Sequence, residues 1–191
     1  MLQKSIATMD EQSPIKQAHR ELIINEELIG KNQPTYFIAD IAANHDGDLG
    51  RALELVEAAA DAGADAVKFQ LFRATDLIPE NHTAFATLRD LELPEEWLSD
   101  LCSRASALGL DFMCSCFSAA GVDTVEQLRV PAHKVASSET TNLGFLHKLA
   151  STGKPMVIST GMCDMVDVEE AVNACQVAGN NQVVLLQCGA L

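Results

Sequence analysis

The chain has 191 residues, 48% of them hydrophobic and 21% charged, with a mean hydropathy of +0.08; this is enough apolar material for one globular core and too much for a disordered chain. A formal net charge of -14 and a pI near 4.6 repel polyphosphate, which excludes nucleic acid as a partner and requires any anionic ligand to be small and locally caged. No apolar run is long enough to span a bilayer, residues 1–17 lack the apolar centre of a signal peptide, and no membrane partner and a cytoplasmic location are expected.

Residues 1–19 are polar, mixed in charge and without periodicity, so a mobile arm is expected there, ahead of a single domain over 20–191. Residues 21–24 and 27–30, separated by Asn25-Glu26, have the pattern of a small hairpin. Residues 36–42 read as a strand with Ile38, Asp40 and Ala42 on one face, which makes Asp40 a candidate buried carboxylate. The strand ends in the polar turn Asn44-His45-Asp46-Gly47. A helix over 49–62 follows, with Leu53, Val56, Ala59 and Ala60 at helical spacing and Gly63 as its stop.

The second central strand, 65–70, alternates so that Lys68 and Gln70 share one face while Val67 and Phe69 share the other. A lysine inside an apolar strand needs a matched charge, because an unpaired buried ammonium costs several kcal/mol or loses its proton. Either an internal carboxylate, Asp40 or Glu139, or an anionic ligand meets that need.

Residues 71–93, with Pro79 and His82, form a connection longer than ordinary strand-to-helix loops, a candidate for reaching over a site and equally for a solvated excursion. Beyond it the alternation continues. Helices are expected over 94–108, 118–128, 142–151 and 165–178, and strands over 110–117, 132–137, 155–160 and 182–188, with Ser118 as a cap. Lys134 lies on the fourth central strand and Ser159 near the end of the fifth. The six cysteines show no CxxC pair and no zinc spacing, and read as buried apolar thiols.

Strands that are nearly continuous apolar runs, alternating with helices, predict a parallel α/β sheet. Polar residues close every strand, at Asn44, Gln70, Ser115, Ser137 with Ser138, and Ser159, which favours a (β/α)8 TIM-barrel type over a doubly wound sheet with one switch point. There is no GxGxxG fingerprint. A complete barrel takes about 250 residues and eight strands, so a C-terminally truncated barrel of about six strands is expected. Gathered at one barrel mouth, Lys68, Lys134, Ser115, Ser137, Ser159, Gln70, Asp40 and Glu139 would cage a phosphate or carboxylate.

The segments IADIAANHDG, AGADAVKFQ, HKVASSE, TGKPMVISTGM and VVLLQC, in this order, resemble the sialic acid synthase (N-acetylneuraminate synthase) family over roughly residues 21–191. The resemblance implies an enzyme that condenses phosphoenolpyruvate with an N-acetylated amino sugar of the N-acetylmannosamine type on a TIM barrel, giving a nine-carbon 2-keto acid and phosphate. It also implies a homodimer and a manganese or magnesium ion that polarises the sugar aldehyde. Residue by residue, it implies that Lys68 and Lys134 hold phosphoenolpyruvate, that Ser137 and Ser159 meet its phosphate, and that Ser115 stands where a threonine is frequent. Gln70 then lies near the sugar and Asn44 against substrate, while Glu139 lines the mouth and Asp40 or Glu139 positions the water that adds at C2.

Some positions depart from the family pattern. Asp40 replaces a glutamate and withdraws the carboxylate by about 1.5 Å, Gln187 replaces a frequent histidine, and Ser138 replaces a glycine. The family's two metal-binding histidines and its antifreeze-like C-terminal domain are expected beyond Leu191, which leaves no metal ligand in this chain. His45 lacks a second His or Cys on a neighbouring strand end, and reads as a turn residue whose ring touches substrate. Two other readings stay open: an aldolase forming a Schiff base on Lys68 or Lys134, which needs a depressed lysine pKa, and a non-catalytic anion-binding fragment.

Overall fold

The structure is a computed structural model that describes residues 13–17 and 21–189. Its elements begin with α1 (Pro14–Gln17), β1 (Glu21–Ile24), β2 (Glu27–Gly30), β3 (Ile38–Ala42), α2 (Leu49–Asp61), β4 (Ala66–Leu71), α3 (Ala74–Leu77) and α4 (Phe85–Asp90). After a 3-10 turn at Glu95–Trp97 come α5 (Leu98–Ala107), β5 (Asp111–Cys116), α6 (Ala119–Glu126) and β6 (His133–Val135). A second 3-10 turn at Ser137–Glu139 leads to α7 (Leu143–Ala150), β7 (Met156–Ser159), α8 (Met165–Val177) and β8 (Val183–Leu186). The chain divides into two compact units, Pro34–Pro131 and the described residues of 1–33 with 132–189.

In the unit of residues 34–131, β3, β4 and β5 run parallel in that order, with Asp40 beside Lys68 and Gln70 beside Ser115. Alternation decides which side chains reach the helices. Val67 and Phe69 are fully buried, and Phe69 stacks on Phe112 at 5.8 Å. Leu98, Leu101 and Ala105 of α5, and Ala52, Val56 and Ala59 of α2, bury the apolar stripes expected of helices at 3.6-residue spacing. Gly63 and Gly109 follow these helices at φ of +77° and +76°, a conformation that L side chains rarely adopt.

In the other unit, β1 and β2 pair antiparallel from Glu21 opposite Gly30 to Ile24 opposite Glu27, the expected hairpin. Strands β6, β7 and β8 run parallel in that order. Helix α7 packs with α8, and Leu146, Leu149, Ala171, Val172 and Cys175 are buried. The buried Asn180 amide donates to the carbonyls of Ala150, the last residue of α7, and Lys154 at 3.2 and 2.7 Å, tying the helix end to the loop before β7. Six parallel strands alternating with helices, three in each unit and preceded by an antiparallel hairpin, make this α/β chain an incomplete (β/α)8 barrel type.

Three local expectations change. The connection 71–93 is folded: it contains α3 and α4, Glu92 accepts from the Ala74 N–H at 2.7 Å, and Arg73 reaches Glu95 at 2.9 Å. Its ordering comes from charges 18 to 22 residues apart, which no local pattern reveals. Strand β3 begins at Ile38 because the Phe37 N–H is taken by the Asp65 carboxylate at 2.6 Å. Within the stretch read as a mobile arm, Ser13 donates to Glu169 at 2.8 Å and Gln176 donates to the Pro14 carbonyl at 2.9 Å, so residues 13–17 are tied to α8. The remainder of that stretch lies outside the described residues.

Among the described residues β3 pairs with β4 alone and β8 with β7 alone. Val183–Leu186 carries no charge and no proline, the features that protect an edge from pairing with another chain. Expressed as residues 1–191 alone, the chain is therefore expected to self-associate in sedimentation velocity, and Val184→Lys, which puts a charge mid-edge, to shift it toward monomer. A concentration-independent monomer for the parent would overturn this.

Candidate anion site

Lys68 is 5% exposed, and its Nζ lies 2.8 Å from Oδ1 of Asp40, one strand away. Of the two carboxylates the sequence offered, Asp40 is the one that pairs. Parallel register puts the two side chains on the same face, with the ammonium buried and the carboxylate side chain 57% exposed. The pair thus opens to solvent at its acidic end, which avoids the full desolvation penalty of a dry ion pair. An ammonium has three N–H donors, and among the described residues Asp40 is its ion-pair partner, so donors remain for a second anion. Gln70 and the buried Ser115 lie side by side on that same face, with Asn44 exposed in the turn after β3.

His45, next to Asn44, is fully buried, and its Nδ1 accepts the Gly47 N–H at 3.1 Å. Its ring stands edge-on to Trp97 with centroids 5.8 Å apart. Burial lowers its pKa from the usual histidine value, against an opposing pull from Asp46.

The other unit holds a second cluster. Lys134 is 8% exposed, and its Nζ donates to the Val135 carbonyl and to Ser159 Oγ, both at 2.6 Å. Thr140 Oγ1 donates to the Ser159 carbonyl at 2.7 Å, which fixes the strand end carrying that hydroxyl. Ser137 Oγ accepts the Gly161 N–H at 3.1 Å and contacts Cys188 Sγ at 3.2 Å. The hydrogen bond with Ser137 is the largest influence holding the Cys188 thiol below its usual pKa; the Gly161 N–H, Ser159 and the Lys134 charge add to it, against burial. Glu139 is half-buried, with Asn142 Nδ2 3.5 Å from its carboxylate. A cavity of about 450 Å³ opens beside this cluster, lined among others by Thr160, Gly161, Cys163, Leu185 and Cys188.

The expected residues thus fall into two groups: Asp40, Lys68, Gln70 and Ser115 on one face with Asn44 in the next turn, and Lys134 with Ser159, near which Ser137 and Glu139 form a 3-10 turn. Thr140, Gly161 and Cys188 are members that sequence reasoning missed. A glycine two residues past Ser159 was the available signal for one of them; the Ser137 to Cys188 contact spans 51 residues and leaves no local trace. Among the described residues no group of three or more His, Cys, Asp or Glu is arranged to hold a metal ion. The residues present therefore do not fit the divalent ion that the resemblance implies, and His45 has its Nδ1 engaged by the backbone.

The sequence model of the NeuB family matches residues 55–190. The chain is 38% identical over 177 residues to the N,N'-diacetyllegionaminic acid synthase of Legionella pneumophila, an alignment covering 83% of this chain and 50% of that relative. It is 34% identical over 181 residues to the spore coat polysaccharide biosynthesis protein SpsE of Bacillus subtilis, covering 87% and 48%. Among solved structures it is similar to the N-acetylneuraminic acid (sialic acid) synthetase of Leptospira borgpetersenii in complex with citrate, with 27% identity, a TM-score of 0.86, and coverage of 91% of this chain and 61% of that one. The chain spans about half the length of the curated relatives it matches.

Two outcomes follow from the thiols and the close approach at Gly161. Cys114 and Cys116 are buried, and Cys116 lies 3.6 Å from the position a Cβ on Gly121 of α6 would take, which puts these cysteines on the helix side of β5. Burial holds the Cys175 thiol up at about 11, and a hydrogen bond with Cys114 together with burial raises that of Cys116. With iodoacetamide under native conditions, mass spectrometry should find Cys188 alkylated well before Cys114, Cys116 and Cys175; fast native labelling of Cys114 and Cys116 would invert the strand register. A Cβ at position 161 would collide with the Cys188 carbonyl oxygen and lie 2.8 Å from its Sγ. Gly161→Ala should therefore lower the melting temperature, with a cost of about 1–3 kcal/mol, and slow Cys188 alkylation as the Ser137 contact is lost; an unchanged melt and unchanged labelling would contradict the contact.

Proposed function

The chain belongs to the NeuB family, and we propose that the protein condenses phosphoenolpyruvate with an N-acetylated amino sugar of the N-acetylmannosamine type, giving a nine-carbon 2-keto acid and inorganic phosphate. The observation that carries this reading is Lys68: a buried ammonium with one half-exposed carboxylate partner and donors to spare. In the proposed chemistry C3 of phosphoenolpyruvate forms the new bond to the sugar aldehyde carbon, and the aldehyde oxygen takes up a proton. Water then adds at C2, the C2 phosphate ester breaks, and the ketone forms as phosphate leaves.

Lys68 and Lys134 are assigned to the anion, with Ser159, Ser137 and Ser115 as hydroxyl donors to its oxygens. Ser159 accepts from the Lys134 ammonium at 2.6 Å, which keeps a cation beside its hydroxyl and supports its place at a phosphate. Gln70 and Asn44 are assigned to the sugar. Asp40 is assigned to the water that adds at C2, with Glu139 at the mouth, because its exposed carboxylate is held in place by Lys68 while it remains wet.

We place this chemistry on the partial barrel of residues 20–191, in a homodimer, with the metal ligands supplied from outside the described residues. The six cysteines are all free, which supports a reducing, cytoplasmic compartment. No described helix is long and apolar enough to cross a membrane. The relatives' names differ in the sugar acid made, so a panel of N-acetylated hexosamines is the substrate test.

Calorimetric titration with phosphoenolpyruvate tests the anion assignment. Lys68→Met keeps the stem and removes the charge, and should weaken binding by about tenfold or more, a loss of at least about 1.4 kcal/mol. Its fold should persist, because Asp40 is exposed enough to be solvated once its partner is gone. Parent-level affinity in Lys68→Met would reduce Lys68 and Asp40 to an internal ion pair.

A further inference from the structure

The turn after β3 contains a buried group that the proposed chemistry does not use. Residues 41–48 form successive tight turns, in which the N–H groups of Asn44, Asp46 and Asp48 donate to the carbonyls of Ile41, Ala43 and His45 at 3.0, 3.3 and 2.9 Å. Ala42, Asp46 and Gly47 have φ of +52°, +48° and +72°, the sparsely populated left-handed region. Such a run of turns needs something to hold it. Asn44, Asp46 and Gly47 are exposed, and the one side chain driven inward between them is His45, at 0% exposure.

The hydrogen bonding of His45 settles its state. Nδ1 accepts from the Gly47 N–H, so that nitrogen carries no proton and the neutral ring is protonated at Nε2. Nε2 has no partner among the described residues, and a buried orphan donor costs stability. The ring lies edge-on to Trp97, and a Cβ on Gly47 would be 3.5 Å from the Asp90 carbonyl. The turn is therefore seated at two points on residues 90–97, where the long connection feeds into α5.

We propose that His45 is the positioning residue of the candidate site: a neutral imidazole pegs the turn carrying Asn44, and with it the end of the Asp40 strand, onto residues 90–97. This rests on the reading that Asp40 and Lys68 serve an anion. Protonation at Nδ1 would break the bond to Gly47 and bury a charge. Asp46 is the carboxylate whose charge acts on the ring, and the packed elements also carry Asp48 as the cap of α2, Arg51 on α2, Asp90 on α4, and Glu95 and Glu96 beside Trp97. Burial outweighs the pull of Asp46 and lowers the histidine's pKa. Above pH ~6.5 the ring is neutral in both folded and unfolded chains, and stability is independent of its titration. As pH falls below that value the unfolded chain takes up the proton that the folded one resists, so stability declines toward the lower folded pKa.

Trp97 is the single tryptophan of the chain, which makes its emission a direct reporter of the ring beside it. In the parent protein, quenching by protonated His45 should set in only below pH ~6.5 and be absent in His45→Phe, and long-range nitrogen NMR should show the proton on Nε2. His45→Phe fills the space without an acceptor and should bind phosphoenolpyruvate about fivefold or more weakly, while His45→Asn, whose Oδ1 replaces Nδ1, should return to within about twofold of the parent. A proton on Nδ1, a Trp97 titration at the ordinary histidine pKa, or parent-level affinity in His45→Phe would each overturn the proposal. If His45→Phe does not fold, the parent's tautomer and the His45→Asn affinity decide. If the parent itself binds no phosphoenolpyruvate, the anion reading fails, and the tautomer and the Trp97 titration decide whether His45 is the peg.

Discussion

A buried ammonium on a parallel strand is the constraint around which the unit of residues 34–131 is arranged. Strand β4 must be apolar toward the helices, where Val67 and Phe69 are sealed, and its other face carries Lys68 at 5% exposure. A charge so placed survives only beside an opposite one, and the register of β3 on β4 supplies Asp40 at 2.8 Å. Because the aspartate's side chain is 57% exposed, the pair is fixed at its basic end and wet at its acidic end. That asymmetry suits a site in which the cation meets a ligand and the carboxylate meets water.

The second cluster is also built around a buried lysine. Lys134 is held by a backbone carbonyl and by Ser159, and Ser159 is fixed from behind by Thr140. Ser137 joins this strand end to Gly161 and Cys188 through one hydroxyl. Only a glycine permits that approach, since any β-carbon at 161 would occupy the place of the Cys188 carbonyl oxygen. The same contacts that build the cluster favour a thiolate at Cys188, which separates its chemistry from that of the buried thiols on β5 and α8.

Family membership and local geometry bear on different parts of the function. The family places a sugar-acid synthase reading on the chain, and relatives named for different acids leave the sugar to experiment. The geometry speaks for the anion, through lysines and hydroxyls, and gives no metal centre among the described residues.

Sequence alone determined the elements whose causes are local. Alternation assigned Lys68 and Gln70 to one face and Val67 and Phe69 to the other, glycines marked helix ends, and Ser118 was legible as a cap, which it is, accepting the Gly121 N–H at 3.2 Å. The barrel type was legible for the same reason, because apolar runs and polar strand ends repeat along the chain. Tertiary structure decided what depends on partners far away in sequence. It chose Asp40 as the mate of Lys68, folded residues 71–93 through Glu92 and Arg73, and brought Cys188 to Ser137. It also tied residues 13–17 to α8 and turned His45 inward against Trp97. Periodicity reports which face a residue occupies, whereas the identity of its neighbour is set by register and by loop closure, which no single stretch of sequence contains.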